Sequence, residues 1–458
     1  MIENNHNQNL APQWLIVKIF ILMILGGTLF LSLPISSRSG VWTNPVTALF
    51  MATSATCVAG HTVVDVGSYF SYFGQLIILF LFQLGGLGFM TLATFLLVLA
   101  GRRLTIKHEL VIDYSLGLNK TDQLKSLLIR SVIFTMFLEL AATIILTARL
   151  VFTHGSSFGS ALYHALFHSV SAFCNAGLCL YPDSLISLRA DKVIVLTFAM
   201  LIVLGGLGFL VLRDLTVFKF WRRNKFERGR LTLHTKIVLF VSVFLLLAGW
   251  LMFGVLEWRS SLSSMTSSNR LIASLFQSVT ARTAGFSVVS MAKVHPSTRF
   301  ATLLLMFIGG SPGSTAGGIK TTTAIVLFFC VIAMIRGRSE TVIFGRTISG
   351  RIVVGALAIF LLSVLVISFL YGLLLVSEQN NLVAQNFTAN ALLFETVSAF
   401  GTVGLSTGIM PGLSTIGKLI IIICMFIGRV GPLTVALIVG MKGERQIVRY
   451  PSEDILVG

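Results

Sequence analysis

One sequence motif recurs four times along this chain of 458 residues. Each copy begins with Leu-Phe, continues through a short stretch rich in Ser, Thr and Ala, and ends at a glycine; the copies span 49–60, 166–177, 275–285 and 393–404. A glycine-containing anchor follows each copy at a similar distance. The first glycines of the four anchors are Gly85, Gly205, Gly309 and Gly428. Two anchors that recur in register indicate four copies of one supersecondary unit.

The segments that flank these motifs are long and apolar. Hydrophobic residues make up 55% of the chain, charged residues only 11%, and the mean hydropathy is +0.90. A soluble protein needs more polar cover, whereas a bilayer crossing takes about 18 or more apolar residues. We therefore predict eight membrane spans: first spans at 15–33, 127–152, 235–256 and 352–376, and second spans at 76–99, 193–212, 300–335 and 419–440.

Positive charge is concentrated in alternate connections between these spans. The formal net charge is +17, and Lys and Arg gather in segments 101–130, 213–236, 336–351 and 442–449. This pattern places the basic segments and both termini in the cytoplasm. It also disfavours a nucleic-acid partner, which the same charge would suggest for a soluble protein.

The predicted fold is an all-α polytopic membrane protein. Each unit is a pore-loop repeat (M1–P–M2): a first span, a short re-entrant helix, a Gly-ended segment and a second span. Because non-helical backbone persists at membrane depth only where it is buried in protein or lines a cavity, we expect the four repeats to surround one pore in a pseudo-fourfold arrangement. The repeats cover 1–110, 111–225, 226–345 (with an intramembrane Gly-rich loop) and 346–458 (with the C-terminal tail).

The Gly-ended segments are predicted to form a potassium filter. They carry no acidic side chain, so main-chain carbonyls are the expected ligands, as suits a weakly hydrated monovalent cation. The predicted filter residues are Thr56, Cys57, Val58, Ala59, Gly60, Cys174, Asn175, Ala176, Gly177, Arg282, Thr283, Ala284, Gly285, Gly401, Thr402, Val403 and Gly404. Arg282 is expected to turn outward and to pair with an acid such as Glu395. The alternative is that these small-residue stretches are packing surfaces between helices.

Two further features predict a gate. The span 300–335 is interrupted by a Gly-rich loop that no helix can include, and broken spans point to permeation sites. The predicted gate residues are Gly309, Gly310, Ser311, Pro312, Gly313, Ser314, Thr315, Ala316, Gly317, Gly318, Lys320 and Arg429. An intramembrane arginine is costly, and Arg429 is expected to impose a positive barrier below the filter. The open alternatives are a packing hinge for the loop and, for Arg429, a bond to Glu139 or to loop carbonyls.

These motifs resemble the superfamily of potassium transporters that contains the bacterial Trk and Ktr membrane subunits and the plant HKT proteins. The segments VTARTAGF (279–286) and GGSPGSTAGGIKT (309–321) are specific to that group, and eight spans with the tail YPSEDILVG resemble the Ktr subunits (KtrB) more than TrkH. The sequence departs from the group at Ala281, where proline is common, and at His61, where an apolar residue is usual.

The resemblance implies potassium uptake across a bacterial inner membrane by a homodimer, with Na⁺ as an activator. It also implies a cytoplasmic nucleotide-binding ring of the KtrA/TrkA type, which binds ATP or ADP, while this chain carries no cofactor. A poorly selective or sodium-preferring cation pathway is the second reading. An enzyme is disfavoured, because Glu139 has no acidic partner at helical spacing and the five cysteines and eight histidines form no ligand set.

Overall fold

The computed structural model describes residues 12–99, 121–217 and 231–432 of the chain. Apart from a two-stranded hairpin, its secondary structure is helical. The basic segment 442–449, the C-terminal tail, the end of the last predicted span and most of the basic segments 101–130 and 213–236 lie outside these residues.

Helices occupy the positions of the predicted first spans. They are α1 (Pro12–Ser32), α5 (Thr121–His154), α9 (Leu233–Glu257) and α13 (Gly350–Ser377). Within α5, α9 and α13, stretches of 25 to 28 residues are long and apolar enough to cross a bilayer. Apolar side chains on their outer faces stay exposed, including Leu22, Phe244 and Leu365 at 71%, 61% and 64%. Such faces suit lipid contact, so the chain is a multi-pass membrane protein.

Within the described residues, three of the second spans are broken at a similar position. They are α4 (Tyr72–Leu99), α7 (Lys192–Leu207) with α8 (Phe209–Val217), α11 (Pro296–Phe307) with α12 (Thr321–Ile335), and α16 (Thr415–Val430). Gly88 and Gly208 interrupt the first two with φ of 75° and 86°, and Gly431, with φ of 97°, follows the last residue of α16. Side chains rarely adopt this region. The predicted span 193–212 corresponds to α7 and α8, which are bent by 101° at Gly208.

Four short helices form the centre of the molecule. They are α2 (Pro45–Thr56), α6 (Phe158–Phe173), α10 (Ser267–Thr280) and α15 (Ala389–Gly401). The inner halves of all four are buried, and Phe50, Phe167, Phe276 and Phe394, the second residues of the four motifs, are almost fully enclosed. Each short helix packs against the first span of its own repeat.

The remaining elements are short connections. Helix α3 (Val66–Tyr69) packs against the connection after Gly177, since a methyl on Gly67 would lie 2.0 Å from the Leu180 carbonyl oxygen. Helix α14 (Gln379–Val383) follows Glu378, which accepts a hydrogen bond from Ser414 N at 2.9 Å. Strands β1 (Thr341–Ile343) and β2 (Arg346–Ile348) pair antiparallel between α12 and α13. Phe344 and Gly345 form the hairpin turn with φ of 49° and 72°, as expected for a tight primed turn.

Candidate permeation site

The four Gly-ended segments share one backbone conformation. The motif glycines have positive φ: Gly60 (74°), Gly177 (66°), Gly285 (77°) and Gly404 (86°). The residues two positions earlier also have positive φ: Val58 (56°), Asn175 (57°), Thr283 (71°) and Thr402 (49°). Ordinary extended backbone alternates its direction at each residue, and two left-handed residues break that alternation. Successive carbonyls can then point to one side.

The motif glycines form a closed ring. A methyl group added to Gly60 would lie 2.9 Å from the Ala176 carbonyl oxygen; on Gly177 it would lie 2.7 Å from Ala284 O, on Gly285 2.6 Å from Val403 O, and on Gly404 2.9 Å from Ala59 O. Each glycine thus faces the carbonyl before the next glycine, in the cyclic order of the repeats. The space is too small for a side chain, and the carbonyl oxygens of the four segments lie close together.

Hydroxyl groups of the short helices form hydrogen bonds with the backbone just after three of the motif glycines. Ser171 Oγ donates to the Leu178 carbonyl at 2.8 Å, Thr280 Oγ1 to Phe286 at 2.6 Å, and Ser398 Oγ to Leu405 at 2.7 Å. The acceptor in each case directly follows a motif glycine. In the first repeat the matching hydroxyl is that of Ser54, and it is buried with no hydrogen-bond partner among the described residues.

The second-span glycines allow close approach to the ends of three short helices. A methyl on Gly85, Gly205 or Gly428 would lie about 2 Å from the carbonyl oxygen of Thr56, Phe173 or Phe400. Only glycine permits such contact between backbones. In the third repeat, Gly309 instead faces the Gly317 carbonyl of its own loop.

Most of the predicted filter residues are buried, Gly177 and Gly285 are half-buried, and one predicted pairing differs. Arg282 donates to the Ser242 carbonyl at 3.4 Å and to Ser242 Oγ at 3.1 Å on α9. Its expected pairing with Glu395 is wrong. Glu395 accepts hydrogen bonds from the connection that follows Gly404 and lies beside His61, so its two oxygens are directed away from the third repeat.

A polar chain runs from the second filter segment toward α5. Cys174 Sγ donates to Gln83 Oε1 at 3.0 Å, and Gln83 Nε2 donates to Glu139 Oε2 at 3.1 Å. No motif in the sequence indicates this chain of hydrogen bonds, since its members lie far apart and share no spacing. It accounts for the buried position of Glu139, which is not in contact with Arg429.

The Gly-rich loop, residues 308–320, lies between the halves of the third second-span. Its ends are joined by hydrogen bonds from Gly309 N to Ile319 O at 2.8 Å and from Thr321 N to Gly310 O at 3.1 Å. Its middle is tied to the second repeat: Ser311 N donates to Gly206 O at 3.1 Å, and Thr315 Oγ1 donates to Phe173 O at 3.3 Å. The expected interruption of this span is confirmed.

The same loop lies directly below the Gly-ended segments. A methyl on Gly317 would be 2.2 Å from Thr402 Oγ1. Lys320 Nζ donates to the Ala316 carbonyl at 2.6 Å, within the loop. The loop is therefore in contact with Thr402 of the fourth segment and, through Thr315, with Phe173 at the end of α6.

Arg429 connects this loop to the first repeat. Its guanidinium donates to the Thr315 carbonyl of the loop and to the Gly85 carbonyl of α4. Of the two alternatives for this side chain, the structure has the bond to loop carbonyls. Charge-assisted bonds of this kind are among the stronger hydrogen bonds in proteins.

On its other side the ring faces a cavity of about 650 Å³. All four motif glycines line it, together with the connections that follow them. Asp65 and Asp183 also line it, and the sequence analysis did not single them out. Two carboxylates at such a mouth raise the local concentration of cations. The ring of motif glycines thus lies between a cavity lined by Asp65 and Asp183 and a loop that is hydrogen-bonded to Arg429.

The chain matches known proteins over nearly its whole length. Residues 6–447 match the family model TrkH, described as a cation transport protein. The chain is 40% identical to Ktr system potassium uptake protein B of Bacillus subtilis over 450 residues, which cover 98% of this chain and 96% of that protein. It is 36% identical to the potassium/sodium uptake protein NtpJ of Enterococcus hirae, with full coverage of both.

A solved structure has the same fold. The potassium transporter TrkH from Vibrio parahaemolyticus matches with a TM-score of 0.72 and 18% sequence identity, covering 95% of this chain and 86% of that one.

Proposed function

The chain belongs to the TrkH family of cation transport proteins, which are not enzymes, and we propose that it takes up potassium ions across the cytoplasmic membrane of a bacterium. The observation that carries this proposal is the closed ring in which each motif glycine faces the carbonyl before the next. Carbonyl oxygens replace the hydration shell of a monovalent cation without adding net charge. Potassium, named in the relatives, fits these ligands.

The proposed path runs from the acidic cavity through the carbonyl ring to the loop. Eight membrane helices in four pore-loop repeats (1–110, 111–225, 226–345 and 346–458) surround it, and both termini are cytoplasmic. The filter residues are those of the four Gly-ended segments, with K⁺ held by their backbone carbonyls. The C-terminal ends of the four short helices point their partial negative charge toward the same place, which further favours a cation.

The proposed gate is the loop 309–318 with Lys320 and Arg429. In this structure the loop contacts the second and fourth repeats, and Arg429 links it to Gly85 of the first repeat. A conducting state requires the loop to move. We propose that a cytoplasmic nucleotide-binding subunit, which responds to ATP and ADP, controls this movement in a homodimer of the chain, and that Na⁺ activates uptake.

A second candidate is a pathway that also carries sodium. The relative named as a potassium/sodium uptake protein favours it. The presence of glycine at all four ring positions favours potassium.

Growth of a bacterium that lacks its own potassium uptake systems tests the proposal. Expression of the chain with a cognate cytoplasmic subunit should restore growth on limiting potassium, and added Na⁺ should increase the uptake rate. The Gly285→Ala variant is the matched negative control, since its methyl would lie 2.6 Å from the Val403 carbonyl. Growth that is no better than with an empty vector, despite normal amounts of protein in the membrane, would overturn the proposal.

A further inference from the structure

The first Gly-ended segment is followed by a buried histidine that packs against an acid of the fourth repeat. His61 comes directly after Gly60, and its Nδ1 lies 3.6 Å from Glu395 Oε2 on α15. Both side chains are fully buried. In the other three repeats the residue after the glycine is apolar: Leu178, Phe286 or Leu405.

The other oxygen of Glu395 holds the connection after Gly404. Glu395 Oε1 accepts hydrogen bonds from Ser406 Oγ at 2.8 Å, from Thr407 N at 2.7 Å and from Thr407 Oγ1 at 2.8 Å. One carboxyl group therefore touches the outer ends of both the fourth and the first Gly-ended segments. At the positions that match Glu395, the other repeats carry Met51, His168 and Gln277.

This contact occurs where the usual anchor of the segment is missing. In repeats 2 to 4 a hydroxyl of the short helix donates to the carbonyl that follows the motif glycine. In repeat 1 the matching Ser54 hydroxyl makes no such bond, nor any other among the described residues. The outer end of the first segment thus lacks the hydrogen bond within its own repeat.

The atoms of the pair that face each other have few other neighbours of opposite polarity in the described part of the chain, where the Ser398 carbonyl also interacts with the His61 ring. Both ring nitrogens of His61 and Glu395 Oε2 are buried without hydrogen bonds. A buried charge is costly unless it is paired. At 3.6 Å the pair makes no direct hydrogen bond in this arrangement, and each side chain is the ionisable group that faces the other.

We propose that His61 and Glu395 form a positioning pair that fixes the outer end of the first segment to the fourth repeat, and thereby sets the preference for potassium over sodium. The inference rests on the proposed function of the ring. Its physical basis is the position of the Ala59 carbonyl oxygen, which a methyl on Gly404 would approach to 2.9 Å. The preference of a carbonyl ring for one cation over another depends on the spacing and stiffness of its ligands. His61 belongs to the first segment and Glu395 holds the connection after the fourth, so the pair links the two segments that meet at Ala59 and Gly404.

The test measures cation binding to the purified full chain by thermal unfolding in detergent, with K⁺ or Na⁺ as the added ion. An ion that binds the folded protein raises the unfolding midpoint, and this readout does not require uptake. The variants are His61→Leu, which copies the second and fourth repeats, Glu395→Gln, which keeps an acceptor for Thr407 but removes the charge, and the double variant. His61→Gln serves as the rescue variant, because its amide can donate to Glu395.

We expect His61→Leu to reduce the ratio of K⁺ to Na⁺ affinity about tenfold, which corresponds to about 1.4 kcal/mol. Glu395→Gln should have a similar effect, and the double variant should be no worse than either single variant, because residues that act as a pair are not additive. His61→Gln should recover most of the ratio. Rubidium uptake with sodium as competitor should follow the same order.

Two outcomes would overturn the inference. In the first, His61→Leu keeps the wild-type ratio; in the second, the two single effects add in the double variant. If the wild-type chain binds K⁺ but supports no uptake, the proposed function fails, while the binding ratios still decide whether the pair positions the ring.

Discussion

Replacement of Arg429 by alanine should release the loop below the ring and raise cation flux. The guanidinium makes two hydrogen bonds, one to Thr315 in the loop and one to Gly85 on α4. A hydrogen bond with a charged partner contributes about 1.5–3 kcal/mol. We take the lower value for each bond, about 3 kcal/mol for the two together, because both bonds come from one guanidinium group. Each 1.4 kcal/mol is about a tenfold change in an equilibrium, so the upper limit is a shift of roughly 100-fold toward the open loop.

The realised increase should be smaller, because other bonds continue to hold the loop. Ser311 N still donates to Gly206 O, and Thr315 Oγ1 still donates to Phe173 O. We expect the initial rate of rubidium influx into proteoliposomes, per reconstituted protein, to rise between about 10-fold and 100-fold. Loss of the positive charge beside the path acts in the same direction.

Arg429→Lys separates these two effects. Lysine keeps the charge but, as a point donor, cannot reach both carbonyls in the geometry of a guanidinium fork. If the tie matters most, Arg429→Lys should also increase flux; if the charge matters most, it should resemble the wild type. An Arg429→Ala protein with a normal unfolding midpoint and unchanged influx would refute both arguments.

Three further substitutions test other parts of the structure. Gly60→Ala should abolish potassium-dependent growth, because its φ of 74° and a methyl contact of 2.9 Å both exclude a side chain; Gly26→Ala, which meets nothing within 4 Å, should grow normally. Glu257→Ala should lower the unfolding free energy by roughly 3 kcal/mol in detergent denaturation, since it removes the charged acceptor of His295 N and leaves the buried Thr298 hydroxyl without its partner. Asp191→Ala should cost about 1 kcal/mol more than Asp191→Asn, because asparagine can still cap α7. Burial alone would raise the pKa of Asp191, but hydrogen bonds from Ile194 N and Arg149 lower it below its usual value. Its contribution to stability should therefore be present above about pH 4 and be lost as the pH falls further, which unfolding midpoints measured at several pH values would check; equal midpoints for the two Asp191 variants would contradict the capping role.

The sequence predicted the helices of this protein well because its signals are repetitive. The Leu-Phe start and glycine end of each motif coincide with a short helix and a left-handed glycine, and the Gly-rich run of 309–318 coincides with a broken span. Each of these signals is local: composition and turn chemistry within about ten residues decide the outcome.

Details that depend on contacts between repeats could not be predicted in the same way. The left-handed φ of Val58 is an example, since a β-branched residue disfavours that region; the surrounding ring imposes it. Opposite charges on Arg282 and Glu395 suggested a pair, but the directions of the two side chains depend on neighbours in α9 and in the first repeat. The chain of Cys174, Gln83 and Glu139 likewise joins residues of different repeats.

The bond between Arg429 and Gly85 joins residues 344 positions apart in the chain. During synthesis the first repeat is complete long before the last helix emerges, so until then no guanidinium is present to hold the loop. A chain that terminates before α16 would also lack the final tie on the ring. Because Arg429 lies on the last described helix, an incomplete or truncated chain has a loop without the hydrogen bonds from this arginine. Under the proposed gate, assembly of the fourth repeat therefore supplies both the last segment of the ring and the hydrogen bond that holds the loop.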